Sequence, residues 1–177
     1  AMALLKADGL VEEVGKRGLR VSELDIEVMH YHYEVRAVLD GLAARNTTSR
    51  IGQDAALRGA FETQALNILT AGTRAVKQGD VPEMIRQDEL LHRLFYEYSG
   101  NPLLGSTAEP HWRFLRRVMG DVMRKVELPH DIWDQHVAIV TASLKGEPGE
   151  AEALMTDHAR RAAILLAGSS DAGGTGT

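Results

Sequence analysis

The sequence of 177 residues predicts an all-α protein, an antiparallel helical bundle of about six helices with a short β-hairpin at its N-terminus. Apolar residues recur at helical spacing from Asp25 onward, as in Leu91, Leu94 and Phe95. Breaks rich in Gly and Pro divide this region into segments of helix length. They place helices near residues 25–47, 53–78, 81–98, 102–126, 129–145 and 149–167. Pro110 lies inside the fourth segment, so we expect it to kink or split that helix.

The two ends of the chain differ from this helical region. Two short alternating stretches flank Gly15-Lys16-Arg17-Gly18, a typical hairpin turn, and Ala3 to Ala7 is typical of the end of a helix. The last ten residues are rich in Gly, Ser and Thr, a composition typical of disorder. The predicted organisation is therefore an N-terminal unit at 1–24, a helical domain at 25–167 and a disordered tail at 168–177.

Composition excludes several classes of protein. The chain has no cysteine, so disulfides, thiolate metal sites and thiol nucleophiles are excluded. A formal net charge of −5 argues against nucleic-acid binding by the whole surface. No apolar run reaches the ~18–20 residues of a membrane span. No secretion signal is evident, so a cytoplasmic location fits.

Four side chains with metal-ligand chemistry are the most informative feature. Asp88 and His92 stand four residues apart on a predicted helix, which places both on one face. His136 and His158 lie on two later helices, and all four could converge inside a bundle. Imidazole and carboxylate ligands suit Zn, Ni, Mn, Co or Fe, so we predict one divalent transition metal of unassigned identity. An octahedral ion would keep two positions open, whereas tetrahedral zinc would be closed.

Several motifs, taken in order, resemble the FCD ligand-binding domain of GntR-family transcription regulators of the FadR subfamily. The resemblance spans about residues 3 to 166 and rests on Tyr33-Glu34-Val35-Arg36, Leu39-Asp40, Ala43-Ala44-Arg45, Asp88-x-x-x-His92, Ser99-Gly100-Asn101-Pro102-Leu103-Leu104, Gln135-His136 and His158. The family usually has Glu, Phe and Glu at the positions of Asp40, Leu91 and Gln135. The last departure removes a carboxylate beside a metal histidine.

The resemblance also covers the N-terminal unit. Residues 3–24 resemble the end of the recognition helix and the wing of a winged helix-turn-helix. Relatives have roughly two more helices before this point, which the sequence given does not contain. We therefore expect this polypeptide to bind DNA weakly or not at all, and DNA binding to belong to the intact regulator.

The resemblance implies a homodimer in which a small carboxylate effector binds over the metal. The arginine that matches Arg36 tends to face the cavity, where its planar fork could hold a carboxylate. The alternative role of Arg36 is that of a solvated charge on the helix surface. Asn101 is expected to cap the helix ahead of Pro102, and an effector contact is its alternative role. His111 is a further candidate effector contact because it follows the expected kink, with core packing as the alternative.

Other function classes explain fewer of these features. A metal-dependent hydrolase or lyase needs a general base, and Glu89, the neighbouring carboxylate, points about 100° away from Asp88 on a helix. A di-iron bundle needs a second copy of Glu89-x-x-His92, and the sequence has none. A metal-free dimerisation module leaves the ligand spacing as coincidence. The sequence therefore predicts a regulator domain and no enzyme.

Overall fold

A computed structural model describes residues 11–15, 18–21, 25–123 and 131–171 of the protein. Two strands, β1 (Val11–Val14) and β2 (Gly18–Val21), pair antiparallel. Six helices follow, and they confirm the predicted all-α bundle: α1 Ile26–Ile51, α2 Ala55–Gln78, α3 Val81–Tyr98, α4 Leu103–Val122, α5 Asp131–Lys145 and α6 Pro148–Asp171. The predicted helix end at Ala3 to Ala7 and the turn residues Lys16 and Arg17 lie outside the described residues. No described helix is both long and apolar enough for a transmembrane segment.

Aspartate caps set the starts of the first three helices. Asp25, Asp54 and Asp80 each accept hydrogen bonds from backbone N–H groups of the following first turn. These bonds satisfy donors that a helix cannot pair internally, and the negative charge suits the helix dipole. The second helix ends at Gly79, whose φ of 66° lies in the left-handed region that favours glycine.

Helix α1 is the centre of the bundle, since it contacts each of the other five helices. Its most extensive partner is α6. Gly41 permits that approach: a Cβ atom there would lie 2.3 Å from Thr156 Oγ1 on α6. Thr156 in turn donates a hydrogen bond to the Ala37 carbonyl at 3.3 Å. Small residues on α1 therefore bring its backbone close to the helix that carries His158.

The structure departs from the predicted boundaries at three places. Helix α4 runs through Pro110 as a single helix, so the prediction of a split was wrong. The proline removes one backbone donor, and the buried Ala108, Trp112 and Leu115 on either side pack into the core and keep the helix together. Helix α1 extends to Ile51, and α6 continues to Asp171, beyond the predicted end at residue 167. Residues 124–130 and 172–177 lie outside the described ranges.

Gly72 on α2 makes room for Trp133 on α5. A Cβ atom at Gly72 would lie 1.6 Å from Trp133 Cζ2, which is impossible without movement. Trp133 Nε1 donates a hydrogen bond to the Leu69 carbonyl at 3.0 Å, so the indole is fixed against α2. The ring also meets His136 edge to face, with centroids 4.6 Å apart. The close contact between α2 and α5 thus helps to position a predicted metal ligand.

We expect Gly72→Ala to lower the free energy of unfolding by about 1–3 kcal/mol, because the added methyl group overpacks the contact with Trp133. Gly59→Ala on the same helix is the matched control, since no atom lies within 4 Å of its Cβ position. That change should raise stability by up to about 1 kcal/mol through helix propensity. Urea denaturation measures both variants. Equal effects of the two substitutions would contradict the packing role of Gly72.

Candidate metal centre and adjoining cavity

Helices α3, α5 and α6 bring Asp88, His92, His136 and His158 together, with ligand atoms all within 4.8 Å of one another. Asp88 Oδ1 lies 3.1 Å from His136 Nε2, 3.8 Å from His92 Nε2 and 3.9 Å from His158 Nε2. The Nε2 atoms of His136 and His158 lie 3.1 Å apart. Donor atoms that share one ion at about 2.0–2.2 Å lie roughly 3–4 Å apart, so the spacing suits a single metal.

Polar partners behind two of the histidines favour Nε2 as the metal-binding atom. His92 Nδ1 lies 3.2 Å from Asp40 Oδ2. His158 Nδ1 lies 3.1 Å from Gln135 Oε1. A proton on each Nδ1 would face an oxygen acceptor and leave the Nε2 lone pair directed at the cluster. Gln135 stands where the resemblance leads one to expect Glu. Its amide oxygen can still accept a hydrogen bond from a protonated His158 Nδ1.

The electrostatics of the cluster favour ligand protonation states. Burial lowers the pKa of His136, and it lowers that of His158 further together with the neighbouring histidines. Both rings are therefore neutral at neutral pH. Burial alone would raise the pKa of Asp88, but the hydrogen bond with His136 holds it well below its usual range. A carboxylate beside the two neutral imidazoles of His136 and His158 suits a divalent ion, which binds the deprotonated forms of its ligands.

Unsatisfied buried atoms provide a test of whether the residues fit a metal. His92 and His136 are fully buried, and both ring nitrogens of His92 and Nδ1 of His136 have no hydrogen-bond partner, since the 3.2 Å approach of His92 Nδ1 to Asp40 lacks hydrogen-bond geometry. Buried polar atoms without partners are uncommon in native proteins because each costs free energy. A cation at the cluster would satisfy His92 Nε2, whereas His136 Nδ1 faces away from the other ligand atoms. The donor set and the unpartnered nitrogen both fit a bound transition metal.

Asp40 on α1 connects the cluster to the core. Its carboxylate is fully buried, and Arg36 Nη2 donates to Oδ2 at 2.9 Å. Tyr96 donates a short hydrogen bond to Oδ1, and Trp112 Nε1 donates to the Tyr96 oxygen at 3.2 Å. Burial would raise the pKa of Asp40, but Arg36, then His92 and Tyr96, hold it well below its usual range. Asp40 is thus an anion with three partners on α1 and α3.

A cavity of about 620 Å³ adjoins the cluster. Arg36, Asp88, His136 and His158 line it, whereas the fully buried His92 does not. The Arg36 guanidinium stacks on Trp112 with Cζ 3.7 Å from the ring centre, and its Nε has no hydrogen-bond partner. This volume lies within the usual range of small-molecule sites.

Two of the predicted effector contacts lie elsewhere. Asn101 and His111 are not among the residues that line the cavity. Asn101 Oδ1 accepts a hydrogen bond from the Leu103 backbone at the start of α4, which is the capping role expected of it. His111 Nδ1 lies 2.9 Å from His32 Nδ1, because α4 does not split at Pro110 and carries His111 to a half-buried position.

Glu89 is not available as a general base. Its Oε1 accepts a hydrogen bond from Arg93 Nε at 2.7 Å and another from Arg116 Nη1 at 2.5 Å. These arginines, after the opposing effect of burial, keep the pKa of Glu89 below its usual value. The carboxylate therefore links α3 to α4 on the face away from Asp88. This geometry disfavours the hydrolytic alternative.

Sequence analysis did not identify Asp40 and Tyr96 as parts of the site. Asp40 was noted only as a departure from the family pattern. Its spacing of four residues from Arg36 was a usable signal, since such pairs share a helix face. Tyr96 follows His92 by the same spacing. No sequence pattern connects Trp112 to them, because that contact crosses from α3 to α4.

A family model described as the FCD domain matches residues 31–161. The chain belongs to the FCD domain family. This match confirms the resemblance drawn from the motifs, and it covers every residue of the candidate metal centre. Membership of a family of regulator domains also supports the prediction that the chain is not an enzyme. No curated protein sequence matches this FCD chain.

Solved structures of similar fold include E. coli McbR/YncC, which has a TM-score of 0.77 at 13% identity, covering 96% of this chain and 78% of that one. A structure described as a GntR transcriptional regulator from Rhodococcus sp. RHA1 has a TM-score of 0.73 at 16% identity, covering 94% and 77%. Streptococcus agalactiae GntR has a TM-score of 0.62 at 18% identity, covering 92% and 78%. At these identities the likeness shows a shared fold.

Replacing Asp40 tests its role in this FCD domain. Asp40→Asn should lower the free energy of unfolding by about 3–5 kcal/mol, because it leaves the buried Arg36 charge unpaired. Asp157→Asn is the matched control, since Asp157 forms an exposed pair with Arg161 at the same spacing of four residues. The control should change stability by at most about 0.5–1 kcal/mol. Chemical denaturation measures both, and a stable Asp40→Asn variant would contradict the account.

Proposed function

We propose that the chain is the effector-sensing domain of a GntR-family regulator of the FadR type. It holds one divalent transition metal through Asp88, His92, His136 and His158 and binds a small carboxylate over that metal. The observation that carries this proposal is the convergence of four ligand atoms beside a cavity that Arg36 also lines. Effector binding shifts the domain between conformations, and a coupling of about 1–3 kcal/mol suffices to alter DNA binding by the intact dimer.

The arrangement of the ligands supports an open coordination sphere. Asp88, His136 and His158 line the cavity, whereas His92 lies behind them against Asp40. An octahedral ion with these four ligands would keep two positions for water or an effector. Three nitrogens and one oxygen suit Zn, Ni, Co, Fe or Mn, and the donor set does not discriminate among them.

Arg36 supports the binding of an anion beside the metal. One of its terminal nitrogens donates to Asp40, and the side chain lines the cavity beside three of the candidate ligands. The flat guanidinium is held between Trp112 and Tyr33, with Cζ 3.7 Å and 5.5 Å from the respective ring centres. A pre-oriented arginine loses little conformational entropy when it binds a carboxylate.

The N-terminal strands support the assignment of residues 1–24 to the end of a winged helix-turn-helix. Val11–Val14 and Gly18–Val21 form a two-stranded unit of the kind a wing requires. An isolated hairpin is marginally stable in water, so a wing needs the rest of its DNA-binding domain. DNA binding is therefore proposed for the intact dimeric regulator.

An apolar stripe on α1 supports a homodimer. Val28, Tyr31, Val35 and Val38 are exposed, with Tyr31 at 58% and Val38 at 68%. Their spacing of three, four and three residues is that of a helix–helix seam. Exposed large apolar side chains in one row commonly mark an interaction surface. A second copy of the chain, paired through the same stripe, would bury it under two-fold symmetry.

The dimer proposal is tested by Val35→Asp combined with Val38→Asp. The two aspartates should convert a dimer to a monomer, because the negative charges of one copy would face those of the other copy in the interface. Leu66→Asp, at an exposed leucine on α2, is the control and should stay dimeric. Multi-angle light scattering gives the mass. A variant that remains dimeric would contradict the use of this surface.

Elemental mass spectrometry of purified protein tests the metal site. The wild-type chain should contain about one transition metal, since four ligands of suitable chemistry converge. His136→Ala should lose most of it, whereas His30→Ala, at an exposed histidine, should retain it. A wild-type protein that takes up no zinc, nickel or manganese after reconstitution would overturn the metal proposal.

A further inference from the structure

The cavity extends well beyond the candidate metal centre along two helices, α3 and α6. On α3 the lining continues from Asp88 to Met84 and Val81, one and two turns away. On α6 it continues from His158 through Ala162 to Leu165. A rise of 1.5 Å per residue over seven residues gives a depth of about 10 Å on each helix. The cavity is therefore elongated, with the metal ligands at one end.

The polar and apolar lining residues are segregated. Among the described residues, the charged and polar side chains of the lining are the three ligands and Arg36 with its neighbour Tyr33. The remaining lining residues are apolar or glycine. Three of them are methionines, Met84, Met119 and Met123, whose flexible side chains adapt to an apolar guest. At the end of the cavity away from the candidate ligands, the described lining residues include no cation that could pair with a second anionic group.

The charges near the metal centre allow one further anion. A divalent ion with the Asp88 carboxylate and three neutral imidazoles carries one net positive charge. Arg36 is already neutralised by Asp40 at 2.9 Å. One carboxylate would bring the total to zero. A dicarboxylate would place its second charge against the apolar side chains of the described lining, which is strongly unfavourable.

Resting on the proposed function, we propose that the effector is a monocarboxylate with an apolar body, its head at the metal and Arg36 and its body along Met84, Val81 and Ala162. The depth of about 10 Å matches a chain of roughly eight carbons. The volume of about 620 Å³ corresponds to about twenty waters at ~30 Å³ each, room for a chain of this size or an aromatic acid. Short polar acids would leave the apolar length of the cavity without contacts.

Calorimetric titration of the metal-loaded protein with butanoate, hexanoate, octanoate and succinate tests this inference. Affinity should rise by about fourfold per added methylene up to roughly eight carbons, the value for full burial of apolar surface. Octanoate should therefore bind about two-hundredfold more tightly than butanoate, and succinate should bind more weakly than hexanoate. Metal content is measured after each titration to exclude chelation.

A cavity variant sharpens the test. Ala162→Leu narrows the middle of the cavity one turn from His158, so the preference for octanoate over butanoate should collapse. Metal content and circular dichroism report whether the variant stays folded. If Ala162→Leu does not fold, the titration of the wild-type protein with acids of increasing length tests the inference alone.

The possible outcomes separate the two proposals. Succinate binding as tightly as octanoate would overturn this inference and leave the proposed function standing. Equal octanoate affinity in metal-free protein would overturn the placement of the head at the metal. Failure of every acid to bind metal-loaded protein would overturn the effector proposal and this inference together.

Discussion

The buried Asp40 carboxylate is the interaction on which the rest of the site depends. It neutralises Arg36, lies against His92 and accepts a hydrogen bond from Tyr96. A charge in a protein interior is tolerated only when such partners surround it. Because these partners come from α1 and α3, the same carboxylate positions the candidate ligand His92 and the Arg36 side chain that lines the cavity. The position of Arg36 at the cavity follows from this pairing.

This arrangement suggests how a ligand would act at a distance. Asp88 and His92 are on α3, whereas His136 and His158 are on α5 and α6, so a metal would tie three helices together. A carboxylate bound at Arg36 would compete with Asp40 for the guanidinium. It would therefore change the ion pair that these two residues form on α1. Helix α1 also carries the exposed stripe of Val28, Tyr31, Val35 and Val38. The effector cavity and the proposed dimer surface are thus two faces of one helix.

Much of the fold and the ligand set was predictable because local rules determine them. Aspartate caps and glycine ends fixed most helix boundaries, and the spacing of Asp88 and His92 placed them on one face. Tertiary contacts set the rest. Packing around Trp112 overrides Pro110, and the Asp40 network joins residues up to 72 positions apart, from Asp40 to Trp112, through Tyr96. No periodicity encodes such contacts, so Asn101 and His111 were expected near a cavity that the structure places elsewhere.

The central claim is that one metal ion joins α3, α5 and α6 at this cluster. Anomalous X-ray diffraction from crystals of the protein grown with a transition metal, with data above and below its absorption edge, tests it most directly. The account predicts one anomalous peak per chain within about 2.0–2.3 Å of Asp88 Oδ1 and the three Nε2 atoms. A peak bound elsewhere on the chain, with this cluster lacking anomalous density, would contradict it.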